Sequence, residues 1–249
     1  RLTTVTGVQT CALPICIQIE NIEKLNFVDS VQFVWRGHSH SQDEIMRPRL
    51  AVVDCKTDSL MDSYFGMSDP QFSLHNAQQL HNAGFQGKVI DSAVIYAGFT
   101  NLDVIPCFAH SYIKGFKNFV PDGKIFSSSD HGTKVISTMA LNIPNKAMGS
   151  APHASYLLLR SEDEQSEYPV EEDYWVAAIE YADSLGVQLV NTSLGYSSFD
   201  DSTLNYSPKE LTGSKSLMSR AADAAFNKGI LVFGSAGNEG NKTWLKITV

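Results

Sequence analysis

Short apolar runs, each followed by a segment of helical period, constrain this chain more than any other feature. The runs fall at residues 92–99, 155–159, 187–191 and 230–233, and each has the length of a strand. Between them lie amphipathic segments with recognisable starts and stops. Ser73 is placed to cap a helix carrying Leu74, Ala77 and Leu80 and ended by Gly84. Residues 131–140 place Val135, Ile136, Met139 and Ala140 on one helical face, with Ser129 or Asp130 as cap. A third helix opens on Glu171, Glu172 and Asp173, where negative charge suits the helix dipole. It buries Trp175, Ala178, Ile179, Ala182 and Leu185 and stops at Gly186. The last, over residues 214–228, presents Met218, Ala221, Ala222 and Ala225 and stops at Gly229. This alternation predicts an α/β fold of three layers, a mostly parallel sheet with helices on both faces.

In such sheets the chemistry collects beyond the carboxyl ends of the strands. Three of the predicted ends are unusual. The first runs into Tyr96-Ala97-Gly98, another into Asn191-Thr192-Ser193-Leu194-Gly195, and the last into Gly234-Ser235-Ala236-Gly237-Asn238-Glu239-Gly240. His131 opens the helix at 131–140, in the run Asp130-His131-Gly132-Thr133-Lys134-Val135. An imidazole fixed at the mouth of a packed helix is positioned to act as a general base. No strand leads into a G-x-G-x-x-G turn, so a Rossmann-like dinucleotide site is not expected.

Composition excludes several other classes. The net charge of −8 argues against nucleic acid as a partner, and no apolar run is long enough for a membrane span. Cys11, Cys16, Cys55 and Cys107 lack the spacing of a metal site, though their number allows a disulfide. His38 and His40 alternate without a third ligand nearby and read as part of a solvated linker. The acidic run at residues 161–167 reads as a solvated loop, with attraction of a cation or a basic substrate as the alternative.

The blocks D-H-G-T-K-V at 130–135, N-T-S-L-G at 191–195 and S-A-G-N-E-G at 235–240 together resemble the subtilisin-like serine proteases, the S8 peptidase family. The resemblance spans residues 64–249 and is closest to extracellular members of Bacteroidetes-type bacteria. It implies a secreted or periplasmic serine endopeptidase, made as a zymogen, that hydrolyses peptide bonds through an Asp-His-Ser triad. His131 then matches the general base, and Asn238 the oxyanion-hole asparagine. Ser193, Leu194 and Gly195 match the segment that pairs with the substrate backbone. Partners are a peptide or protein substrate and the chain's own propeptide. Residues 17–36 resemble the end of that propeptide, and 37–63 the linker cut on maturation. Residues 1–16 resemble translated adapter read-through, foreign to the fold. Family members often hold structural calcium, but no ligand loop is identifiable in the sequence, so no cofactor is expected.

Two departures bear on activity. The family places its aspartate at the end of the first strand, in a V-I-D-x-G setting, and here Tyr96 stands in that position. A phenol with a pKa of about 10 is neutral at pH 7 and offers the imidazole no charge, although it could accept a hydrogen bond from it. In a subtilisin, loss of this aspartate alone costs on the order of 10⁴-fold in rate. Asp91 lies about 16 Å away along an extended strand, and nothing in the sequence sets Asp103 against His131. The second departure is the nucleophile: residues 1–249 contain no G-T-S-x-A block. Ser137 imitates one but lies inside the His131 helix. The chain therefore reads as an N-terminal fragment, truncated before the nucleophile and inactive by itself, with a peptide-binding pseudoprotease as the alternative.

Overall fold

The computed structural model describes residues 62–238, together with residues 24–26, 28, 31, 42, 44 and 45. The readings made for residues 1–16, for His38 and His40, and for most of 17–61 fall outside the described residues. The elements run α1 (Asp69–His75), α2 (Gln78–Asn82), β1 (Asp91–Tyr96), β2 (Tyr112–Asn118), α3 (His131–Ala140), β3 (Asn142–Ile143), β4 (Ala147–Met148), β5 (Ser155–Arg160), α4 (Val170–Ser184), β6 (Leu189–Thr192), α5 (Leu217–Asn227) and β7 (Leu231–Gly234).

Five strands form one parallel sheet in the order β2-β5-β1-β6-β7, and β3 and β4 make a small antiparallel pair. β1 and β5 are buried from their second residue onward, as strands covered on both faces must be. The chain moves from β1 outward to β2 and β5, then crosses back past β1 to β6 and β7. That reversal leaves β1 in the middle of the sheet, between β5 and β6. It also makes the carboxyl ends of β1 and β6 the topological switch point, where a crevice opens. The expected three-layer α/β architecture is the observed one.

One core joins the layers. Trp175 of α4 is fully buried, and its Nε1 donates to Thr192 Oγ1 at 3.1 Å. Thr192 Oγ1 in turn lies 3.3 Å from the carbonyl of Ile95, so helix and two strands share one chain of bonds. α4 ends on Gly186, whose φ of 74° lets Val187 N–H close back onto the Ala182 carbonyl at 3.2 Å.

Three expectations about packing are corrected. The single helix expected from Ser73 to Gly84 is two short ones, broken where Asn76 takes a left-handed φ of 57°. Its buried residues are Phe72 and His81, packed with Phe65, whereas Leu74 and Leu80 face solvent. Leu185 is the C-cap of α4 and exposed, not a core residue. The strand β2 was not expected at all. Its alternation is broken by a register shift between Ile113 and Gly115, and its Lys114 and Lys117 mark it as an edge.

Of the segment 37–63, Glu44 is described docked on the body of the fold. Its N–H donates to the Gly123 carbonyl at 2.7 Å, and its carboxylate accepts from Phe126 N–H at 2.6 Å and from the Ser127 hydroxyl. Cys107 is disulfide-bonded. No helix among the described residues is long and apolar enough to cross a membrane.

Candidate active site

Tyr96 closes β1 with its side chain fully buried. Its hydroxyl lies 2.8 Å from Asn191 Oδ1 and 2.7 Å from Ser193 Oγ. The one phenolic proton serves the carboxamide oxygen, which can only accept, and leaves the serine hydroxyl free to donate in return. Burial pushes the phenol above its ordinary pKa, while the hydrogen bonds with Ser193 pull the other way. The group is neutral at physiological pH.

His131 packs edge-on against the Tyr96 ring, centroids 4.9 Å apart and planes at 81°. The hydroxyl bonds lead to β6 and the segment after it, so tyrosine meets the imidazole as a ring and not as the hydrogen-bond acceptor considered from sequence. His131 itself is exposed, with Gly132 and Thr133 buried behind it. Its backbone N–H donates to Ser129 Oγ at 3.3 Å, so Ser129 holds the helix start and Asp130 instead pairs with Lys134 at 2.8 Å.

The position of His131 is fixed by the docking of α3 on the loop after β1. Gly132 N–H donates to the Gly98 carbonyl at 3.1 Å, and Thr133 Oγ1 donates to the Thr100 carbonyl at 2.9 Å. A Cβ on Gly132 would lie 2.4 Å from the Gly98 carbonyl oxygen and 2.6 Å from the Phe99 ring. Helix propensity alone would make Gly132→Ala favourable by about 1 kcal/mol. The backbone clash is expected to reverse the sign, to a loss of about 2–3 kcal/mol in urea unfolding. A neutral or stabilising result would show that the loop yields and that glycine does not set this contact.

Arg160, in register with Tyr96 across β1 and β5, is the site residue that sequence reasoning missed. Only 1% exposed, it donates from Nε to the Ala97 carbonyl at 2.6 Å and pairs through its guanidinium with Asp122. Ser128 Oγ donates to the same Ala97 carbonyl at 2.8 Å. The one available signal was a cation ending the apolar run at 155–159.

Residues 193–195 leave the ladder after β6, with Leu194 buried and Gly195 exposed. Asn238 sits in an exposed bend after β7. Because β1, β6 and β7 are parallel neighbours, Tyr96, residues 193–195 and Asn238 all belong to one edge of the sheet. Tyr96, His131, Asn191 and Ser193 are in direct contact around Tyr96. Among the described residues no hydrogen bond or ring contact joins Asn238 to His131. A cavity of about 450 Å³ lies beside this edge, lined by Met218, Ala222, Phe226, Val232, Ser235 and Ala236 among others.

The acidic segment after β5 is not the solvated loop that its composition suggested. Glu162 and Glu167 are partly buried and Glu171 is 1% exposed. Burial, followed by the charge of Glu167, pushes Glu171 up to about 9, and burial with acidic neighbours raises Glu162 and Glu167 to about 7.

A model of the subtilase family of peptidases matches residues 68–247. The chain is 30% identical to Subtilisin E of Bacillus subtilis (strain 168) over 197 residues, covering 78% of this chain and 45% of that protein. It is 31% identical to the major intracellular serine protease of the same organism over 174 residues, 66% of this chain and 48% of that one. The chain thus spans about half the length of the curated relatives it matches. Among solved structures it is similar to the nisin leader peptidase NisP from Lactococcus lactis, at 25% identity and a TM-score of 0.45 over 63% of this chain and 46% of that one.

Proposed function

The chain belongs to the subtilase family of serine endopeptidases, and from that premise we propose that the edge formed by β1, β6 and β7 is a peptide-hydrolysing site seen without its nucleophile. The observation that carries this reading is the packing of His131 against Tyr96 at the switch point, with Ser193 bonded to the same tyrosine.

In this reading an extended peptide lies against residues 193–195, whose backbone continues β6 without a ladder partner among the described residues and can take an added strand. His131 removes the proton from a serine hydroxyl as it attacks the peptide carbonyl, then returns it to the leaving amine. The Asn238 amide donates to the oxyanion, a contact worth about 2.7–4 kcal/mol in a subtilisin. The attacking serine is not among residues 1–249, because no G-T-S-x-A block occurs there. Residues 17–36 and 37–63 are read as propeptide end and connector. The disulfide at Cys107 favours an oxidising compartment and so a secreted or periplasmic home.

A second reading, binding of peptide without cleavage, draws on Tyr96. The side chain is fully buried and its hydroxyl is satisfied, as expected of a residue the site was built around. Both readings predict peptide binding, and nuclear magnetic resonance tests it. Titration with an extended octapeptide is expected to shift the amides of Ser193, Leu194 and Gly195 together with the imidazole of His131. Gly195→Pro, which removes one backbone donor, is expected to weaken that binding. Resonances that stay unmoved would end the peptide-site proposal. A fluorogenic peptide is expected to turn over at the background rate, and faster cleavage would show that a nucleophile lies among these residues after all.

A further inference from the structure

The loop between β2 and α3 receives a carboxylate from far upstream in the chain. One oxygen of Glu44 accepts from Phe126 N–H at 2.6 Å and the other from the Ser127 hydroxyl, while Glu44 N–H donates to the Gly123 carbonyl at 2.7 Å. Backbone and side chain of one residue are thus read together by a single short stretch. Hydrogen bonds to an ionised acceptor are stronger than neutral ones, and two oxygens held at once fix direction as well as distance.

The receiving stretch is ordered by bonds that do not involve its occupant. Asp122 accepts from Lys124 N–H at 2.9 Å, and Gly123 takes a left-handed φ of 73°, so the turn at 122–124 is locally determined. Ile125 and Phe126 are buried, and their carbonyls accept from Phe99 N–H at 2.7 Å and Asn101 N–H at 3.0 Å. Those bonds use the carbonyls and leave Phe126 N–H to Glu44. Without that carboxylate a buried backbone donor loses its acceptor, which chains rarely tolerate. The stretch then continues into the start of α3. Ser128 Oγ holds the Ala97 carbonyl at 2.8 Å, the Ser129 carbonyl accepts from Thr100 N–H at 2.8 Å, and Ser129 Oγ accepts from His131 N–H at 3.3 Å. Residues 128–130 alone separate the Glu44 contacts from His131. Cys107 supplies a second tie to the upstream segment. It is disulfide-bonded, and Cys11, Cys16 and Cys55, the chain's other cysteines, all precede residue 62.

We infer that residues 123–127 form a recognition site for a glutamate side chain, occupied in cis by Glu44, and that its occupancy fixes the loop on which His131 stands. Glu44 is a positioning residue, acting through the loop and not by touching the imidazole. Residue 44 then belongs to the folded body and not to a passive linker. The assignment is independent of the peptide-site reading, since its residues and its test involve neither 193–195 nor Asn238.

The test is amide hydrogen exchange and imidazole resonances of the full chain, followed by nuclear magnetic resonance. Glu44→Gln is expected to speed exchange at Phe126 about tenfold, and Glu44→Ala by more, with Ile95 in the central strand unchanged. The His131 ring resonances are expected to move in both variants. Ser127→Ala, at an exposed position, is expected to speed Phe126 exchange in the parent and to add little to Glu44→Ala. Asp43→Asn, which removes the neighbouring charge, should leave both readouts at parent values. The peptide Ser-Gln-Asp-Glu-Ile-Met, residues 41–46, is expected at millimolar concentration to restore Phe126 protection and the His131 resonances in Glu44→Ala. The same peptide with glutamine in place of its glutamate should restore neither. Unchanged Phe126 exchange in Glu44→Ala, or an equal response to Asp43→Asn, overturns the site. Faster exchange with the His131 resonances unmoved overturns the positioning role. A peptide that restores nothing would show a tether and not a recognition site.

Discussion

Arg160→Ala is expected to lower the unfolding free energy by about 3 kcal/mol, read by urea denaturation at pH 7. The side chain is 1% exposed and connects three things at once. It holds the carbonyl of Ala97, pairs with the Asp122 carboxylate, and lies in register beside Tyr96. Truncation leaves the Asp122 charge partly buried without its partner and takes one of two donors from the Ala97 carbonyl. The lower end of the range for broken buried pairs applies because Asp122 keeps some contact with water. Arg160→Lys is expected to recover only part of the loss, since an ammonium cannot reproduce the planar fork that serves both acceptors.

The pH dependence has a definite sign. Burial alone would raise the Asp122 pKa, but the hydrogen bonds and charge of Arg160, helped by the Lys124 N–H, hold it below its ordinary value. A depressed carboxylate contributes stability above its unfolded pKa of about 3.9 and loses it as pH falls through the lower folded value. The parent is therefore expected to lose stability faster than Arg160→Ala as pH falls below about 4. Parallel curves for the two proteins, or a loss under about 1 kcal/mol at neutral pH, would show the pair to be ornamental.

Arg160 also shows where the sequence was legible and where it was not. β1 and β5 announced themselves because both their faces are buried and their central residues, 93–95 and 157–159, are all apolar. The stop of α4 was legible because Gly186 performs a local task. Tyr96 at a strand end and His131 at a helix start were legible because strand ends and helix starts are themselves local features. What failed was everything set by partners distant in sequence. Glu171 and Glu172 read as first-turn charges suited to the helix dipole, and nothing in that reading buried them, yet both are buried. Glu172 is there to accept from the Tyr206 hydroxyl at 2.6 Å, the Ser216 hydroxyl at 2.7 Å and Met218 N–H at 2.9 Å. No window around position 172 contains those donors. β2 failed for a related reason, since an edge strand with a bulge carries little alternation and takes its register from β5.

Tyr96→Asp is expected to destabilise the chain by about 3–5 kcal/mol, although it introduces the residue type that the resemblance implies at this position. The tyrosine is fully buried, so truncation empties the space of a ring that His131 now packs against. The new carboxylate would point at Asn191 Oδ1, an acceptor, until that amide turned over. Ser193 Oγ could donate to it, and His131 could pair with it only by giving up its edge-on contact with a ring no longer present. Tyr96→Phe separates the two contributions: it keeps the ring, loses the bonds to Asn191 and Ser193, and is expected to cost about 1–2 kcal/mol. The sign for aspartate decides between the two readings of the site. If the surroundings are still shaped for a carboxylate and the tyrosine is an intruder, Tyr96→Asp should be neutral or stabilising, and the triad reading gains. If the site has settled around the phenol, as its burial and bonds argue, aspartate should cost the full amount, and peptide binding without cleavage becomes the better account of this chain.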